Sequence, residues 1–114
     1  MIVRRRFRFE AAHRLPFPRG KCRDLHGHSY ELVVSVDRPI GEDGLAIDFS
    51  DLKGIVRELV IEALDHKLVN DIIENPTAEQ MVRWIWDRLH TALPGLVELE
   101  LFETRDCSVV HRGT

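Results

Sequence analysis

The apolar residues change period twice along this chain, and that change constrains the fold more than any single motif. Residues 2–12 alternate with a period of two. Val3, Phe7, Phe9 and Ala11 share one face, interrupted by Arg5, while Arg4, Arg6, Arg8 and Glu10 share the other. The pattern predicts a half-buried strand. Residues 13–25 carry Pro16, Pro18 and Gly20 and read as a loop. Residues 27–38 alternate again, with Tyr30, Leu32, Val34 and Val36 on the even face and Ser29, Glu31 and Asp37 on the odd one, Val33 excepted. A turn over Gly41 to Gly44 follows.

The period then becomes helical. Leu52, Ile55, Val56, Leu59, Val60, Ala63 and Leu64 recur at i, i+3, i+4 and i+7 spacing, predicting an amphipathic helix over about 51–64 with Ser50 as its N-cap. A second helix opens at Thr77, with Gln80 completing a capping box, and runs through Met81, Val82, Ile85, Trp86, Leu89 and Leu93 to a stop at Pro94-Gly95. Residues 96–104 return to alternation, with Val97, Leu99, Leu101 and Glu103 on one face, and a short strand over 108–112 closes the chain. Strands, then helices, then strands, joined by short connections, predict one α+β domain over 1–114: an antiparallel sheet with both helices on one face.

Composition narrows the function. With 44% apolar and 31% charged residues among 114, the chain is globular rather than disordered or fibrous. It is short for an enclosed pocket, so an enzyme of this size is expected to borrow walls from copies of itself. Residues 1–23 hold eight basic side chains and one acid, Glu10, whereas the other 91 residues hold eight basic and eighteen acidic ones. The net charge of −3 argues against a nucleic-acid partner, while the basic N-terminal part suits an anionic ligand. No apolar run reaches the ~18 residues of a membrane span, and no signal-peptide pattern opens the chain. Two cysteines, Cys22 and Cys107, are too few for a disulfide scaffold, so the expected compartment is the reducing cytoplasm.

Chemistry concentrates in His13, His26 and His28. Period two puts both imidazoles of the H-x-H pair on the face that continues into Tyr30, and His13 shares the parity of Phe9 and Ala11. If the two strands form an antiparallel hairpin, the three imidazoles meet. Three neutral imidazoles leave one position open, which is the catalytic zinc pattern; a structural zinc site would need Cys22 as a fourth ligand. Cys22 sits among Arg19, Lys21 and Arg23, which favour its thiolate, though an inert thiol fits equally. Asp65-His66 follows the first helix, as a base with its orienting carboxylate or as an imidazolium on the helix dipole. Glu103 ends an apolar alternation, where it either emerges into solvent or matches a ligand edge with two parallel N–H donors. Thr77 and Glu79 open the second helix, as ordinary cap and dipole chemistry also explains. Arg4, Arg6 and Arg8 read as a solvated strand face.

These residues together resemble the 6-pyruvoyltetrahydropterin synthase family. His13, Cys22 and Leu25-His26-Gly27-His28 match its histidine and cysteine signature. The likeness continues through Ile47-Asp48-Phe49, Leu64-Asp65-His66, Asn75-Pro76-Thr77-Ala78-Glu79, Glu103-Thr104 and His111-Arg112-Gly113. The wording of several segments is most similar to the bacterial branch that forms 6-carboxytetrahydropterin in queuosine biosynthesis. The resemblance implies a tunnelling fold: a four-stranded antiparallel sheet carrying two helices on one face, three sheets closed into a β-barrel, and two trimers stacked as a homohexamer. It implies Zn²⁺ on His13, His26 and His28, and 7,8-dihydroneopterin triphosphate as substrate. Cys22 would be the catalytic base and Asp65 with His66 an acid–base pair supplied across a subunit boundary. Glu103 would anchor the pterin, with Thr77 and Glu79 assisting. Arg14, Arg19, Lys21 and Arg23 would meet the triphosphate. The alternatives are a pyruvoyl product without side-chain cleavage, and a non-catalytic zinc-binding assembly module.

Overall fold

In a computed structural model of the chain, which describes residues 1–16 and 24–114, β1 (Ile2–His13) and β2 (His26–Asp37) pair antiparallel along their full length. Ile2 lies opposite Asp37 and His13 opposite His26. Beyond β2 come β4 (Leu96–Thr104) and β5 (Cys107–His111), each antiparallel to its neighbour. The fold is α+β as the periodicity requires, but the sheet has five strands and is mixed, not four-stranded and antiparallel. Its order is β3-β1-β2-β4-β5, and the two-residue β3 (Lys67–Leu68) runs parallel to β1 opposite Ala11 and Ala12. Two residues have no period to read. What docks them is the preceding turn, where the Glu10 carbonyl accepts from the His66 N–H and the Glu10 N–H donates to Asp65 Oδ1 at 2.9 Å.

The inner face of the sheet carries Phe7, Phe9, Tyr30, Leu32, Val34, Leu99 and Leu101, all buried. Arg5, the interruption on this face, spends its charge locally: its Nη1 donates to the Phe49 carbonyl at 3.1 Å and its guanidinium lies 5.8 Å from the Phe7 ring centre. The helical layer covers this face. α1 (Phe49–Val56) runs without a break through a π-helical turn, Arg57–Ile61, into α2 (Glu62–Leu64). Its N-cap is Asp48, not Ser50. Asp48 Oδ1 accepts from the N–H groups of Ser50 and Asp51, so the helix starts two residues early and Ser50 becomes a helical residue. In the wider π-turn, Arg88 Nε donates to the Leu59 carbonyl at 2.6 Å.

α3 (Ala78–Leu89) is capped by Thr77, whose Oγ1 accepts from the Gln80 N–H at 3.1 Å. Only half of the expected capping box forms, because the Thr77 N–H donates instead to the Asn75 carbonyl at 2.9 Å. The helix ends at Leu89, before the expected Pro94-Gly95 stop, yet Leu93 remains fully buried. Trp86 packs edge-on against His111, and the backbone of Gly113 (φ +85°) runs so close that a Cβ there would lie 2.5 Å from the indole. Each fully buried leucine of this core contributes about 2 kcal/mol by removal from water. Among the described residues, no helix is long and apolar enough to cross a membrane.

Candidate metal centre

The β1–β2 register brings His13, His26 and His28 together on the inner face, with their ligand nitrogens all within 4.8 Å of one another. His13 Nε2 and His26 Nε2 are 2.9 Å apart. Two backbone carbonyls decide which nitrogen of each ring is free. His13 Nδ1 is 2.8 Å from the Pro76 carbonyl, and His26 Nδ1 is 2.7 Å from the Asp24 carbonyl. A carbonyl only accepts, so both Nδ1 atoms carry the proton and both Nε2 lone pairs point into the cluster. His28 Nε2 is buried with no hydrogen-bond partner, an orphan aimed at the same point. Burial holds the His28 imidazole below its ordinary pKa, helped by His13 and His26 and opposed by Glu103. Three convergent nitrogens, one of them an orphan, fit a metal ion and leave a coordination position open.

Tyr30, two residues past His28 on the same face, closes the floor. It is fully buried, its hydroxyl lies 3.3 Å from His13 Nδ1, and burial, with the Glu103 charge second, holds its pKa above the ordinary tyrosine value. Parity with the H-x-H pair was the available signal for it. The Pro76 carbonyl had none, since a backbone acceptor is invisible in a sequence.

Glu103 is half-buried rather than fully solvated. A β-bulge at Glu103, between Phe102 opposite Ser108 and Thr104 opposite Cys107, re-aims its side chain. Its Oε1 lies 3.5 Å from His13 Nε2 and 3.8 Å from His28 Nε2. A hollow of about 150 Å³ beside it is bordered by Glu79, Glu103 and Cys107. Thr77 caps α3 directly after Pro76, so the start of that helix and the His13 ring are fixed by one turn. Cys22, with Arg19, Lys21 and Arg23, lies outside the described residues. The other chain end of this segment is anchored: Asn70 accepts from the Arg14 N–H and donates to the Arg14 carbonyl, both at 2.8 Å.

Asp65 and His66 form a separate unit on the outer edge of β1. Asp65 Oδ2 is 3.0 Å from His66 Nδ1, and its Oδ1 accepts from Glu10. The Glu10 backbone bond first, and His66 next, hold the Asp65 carboxyl below its ordinary pKa against partial burial. His66 is the one non-glycine residue of positive φ among those described, at 59°, a conformation kept only where the surroundings enforce it. Its side chain is 78% exposed. Among the described residues no hydrogen bond or ion pair joins this dyad to the three histidines. His28 and His66 do border one surface hollow of about 500 Å³, but His28 Nε2 has no exposed surface there.

The family model described as 6-pyruvoyl tetrahydropterin synthase matches residues 2–114. The chain is 44% identical, over 90% of its length and 86% of the relative's, to a Synechocystis protein named 6-carboxy-5,6,7,8-tetrahydropterin synthase. It is 37% identical, over 99% of its length and 96% of the relative's, to the 6-pyruvoyl tetrahydrobiopterin synthase of Dictyostelium discoideum. In fold it is similar to the Caenorhabditis elegans 6-pyruvoyl tetrahydropterin synthase, with a TM-score of 0.89 at 23% identity over 100% of this chain and 96% of that one.

Proposed function

The chain belongs to the 6-pyruvoyl tetrahydropterin synthase family, and on that premise we propose that it is a cytoplasmic zinc-dependent lyase. It converts 7,8-dihydroneopterin triphosphate to 6-carboxy-5,6,7,8-tetrahydropterin, releasing triphosphate and acetaldehyde, as a step toward queuosine. The observation that carries the reading is the convergence of three imidazoles: His13 and His26 have Nδ1 committed to backbone carbonyls, and His28 Nε2 is buried without a partner. The 44% identity to a relative named for the carboxy product supports the choice of branch.

His13, His26 and His28 hold the zinc. Bound there, zinc supplies Lewis acidity toward the oxygens of the substrate side chain, making the adjacent C–H more acidic. Cys22 takes that proton as a thiolate. His66 donates its Nδ1–H to Asp65, which leaves Nε2 as the nitrogen that exchanges a proton with the substrate. Glu103, aimed inward by the bulge, accepts from the paired N–H donors of the pterin edge. Thr77 and Glu79 shape the mouth beside it. Triphosphate leaves by elimination.

Because the dyad is exposed on an edge and no described hydrogen bond or ion pair joins it to the imidazoles, the reading has a second copy of the chain bring them together. That role suits three sheets closed into a barrel and two trimers stacked as a homohexamer, with sites at subunit boundaries.

Incubation with 7,8-dihydroneopterin triphosphate, followed by product mass and an acetaldehyde assay, tests the reading. The carboxy product with acetaldehyde supports it. A pyruvoyl product without acetaldehyde overturns it in favour of the activity named for the Dictyostelium relative, which matches 99% of the chain. Full turnover by Cys22→Ala would remove Cys22 from the chemistry.

A further inference from the structure

The helix that ends at the Asp65–His66 pair changes pitch on the way there. Its fully buried residues Leu52, Val56, Val60 and Leu64 recur at a strict spacing of four. Each residue of an α-helix turns about 100°, so an unbroken helix would carry Leu64 about 120° away from the face of Leu52. The π-turn Arg57–Ile61 takes in one extra residue and cuts that drift to about 20°. The four side chains then stay in one line under the sheet.

The same extra residue sets the phase at which the chain leaves the helix. The Asp65 N–H donates at 2.8 Å to the carbonyl of Ile61, the last residue of the π-turn. From there the Asp65 carboxylate meets the Glu10 N–H, and the His66 N–H meets the Glu10 carbonyl. Without the extra residue Asp65 would face about 100° away from that contact.

π-turns are rare, and among the described residues one side chain from outside the helix hydrogen-bonds this one. Arg88 of α3 donates Nε to the Leu59 carbonyl, in the middle of the turn, at 2.6 Å. Its guanidinium lies 5.0 Å from the ring centre of Trp84, four residues back on the same helix. No carboxylate lies within ion-pair distance of Arg88 among the described residues. The cation is committed to a backbone carbonyl and a ring.

We propose that Arg88 is a positioning residue for the Asp65–His66 pair. It fixes the π-turn through the Leu59 carbonyl, and the π-turn brings Asp65 to Glu10. Its effect on turnover rests on the acid–base reading of the pair given above; its effect on the turn rests on geometry alone. A displacement of about 1 Å can cost a catalytic group about 10²-fold.

Three variants of the assembled, zinc-loaded protein test this. Arg88→Met keeps most of the stem and loses the donor. Arg88→Gln loses the charge but keeps an N–H donor as many bonds from Cα as Nε. Arg83→Met, at an exposed arginine of the same helix, is the control. Hydrogen exchange read by mass spectrometry follows the turn without turnover. Exchange over residues 59–66 should be at least about tenfold faster in Arg88→Met, within about threefold of wild type in Arg88→Gln, and unchanged in the control. Unchanged exchange in Arg88→Met, or an equal rise in β2, overturns the proposal.

Kinetics then separate positioning from general support of the fold. In Arg88→Met, kcat for 7,8-dihydroneopterin triphosphate should fall about tenfold at unchanged KM and zinc content, with Arg88→Gln recovering most of it. Added to Asp65→Asn, Arg88→Met should change kcat less than about twofold, because the group it positions is already gone. A full tenfold loss in that background puts the action of Arg88 elsewhere and overturns the proposal. If Asp65→Asn alone keeps wild-type turnover, the acid–base reading fails, and the exchange result still decides whether Arg88 holds the turn.

Discussion

The two ends of β1's inner and outer sides carry chemistry built in opposite ways. At His13 the site is buried, and its nitrogens are aimed by carbonyls of Pro76 and Asp24 belonging to the same chain. At Glu10, three residues away, the Asp65–His66 pair is held by an edge strand and a positive-φ backbone, with the His66 side chain exposed. The first is a set of three imidazoles that could hold a metal ion. The second is, on the proposed reading, an oriented proton carrier. On the proposed reading, 114 residues suffice for an enclosed reaction because each chain completes one half and exposes the other.

Substitutions separate the halves. The largest effect is expected from His28→Ala, which removes the orphan nitrogen: zinc measured by elemental analysis should fall from about one per chain to a small fraction, and turnover with it. Asp65→Asn should leave zinc content unchanged while kcat drops by about 10²–10⁴, as for loss of an oriented acid–base group; a loss of zinc in this variant would break the division. Thr77→Ala should cost about 1 kcal/mol of stability, or roughly 4 °C in melting temperature, by removing the α3 cap. Since Pro76 precedes it, weaker zinc retention against a chelator would tie that cap to the metal end.

The smallest effect is a pH dependence of the dyad end. The Asp65 carboxyl is held below its ordinary pKa when folded, so its stabilising share is complete above the unfolded value near pH 4. It is lost as pH falls through the lower folded value. Melting curves of wild type and Asp65→Asn should therefore converge on acidification below about pH 4; a constant gap would mean that the carboxylate adds nothing to the turn.

The legible half of the molecule is the half that register builds. Period two put His13 and the H-x-H pair on matching faces, and the expected antiparallel hairpin then sets His13 opposite His26. For Glu103 the alternation left solvent and ligand open, and the bulge between Phe102 and Thr104 decides its aim. What was hidden has a common cause: it depends on backbone groups or on single tertiary contacts. The β3 pairing rests on two hydrogen bonds to Glu10. The half-made capping box rests on the Asn75 carbonyl, and the Arg14 clamp on one amide, Asn70. Asp48 and Ser50 are equally good caps in isolation, and only the packed helix distinguishes them.

A mixing experiment tests the division between the halves most directly. His28→Ala and Asp65→Asn chains, each inactive alone, are unfolded or dissociated together in equal amounts, reassembled with zinc, and assayed for turnover of 7,8-dihydroneopterin triphosphate. If the metal end of one chain works with the dyad of another, about a quarter of the sites regain both intact halves and activity returns to about a quarter of wild type. If the mixture stays as inactive as its components while wild type reassembles fully, the dyad serves its own chain's metal and the division is wrong.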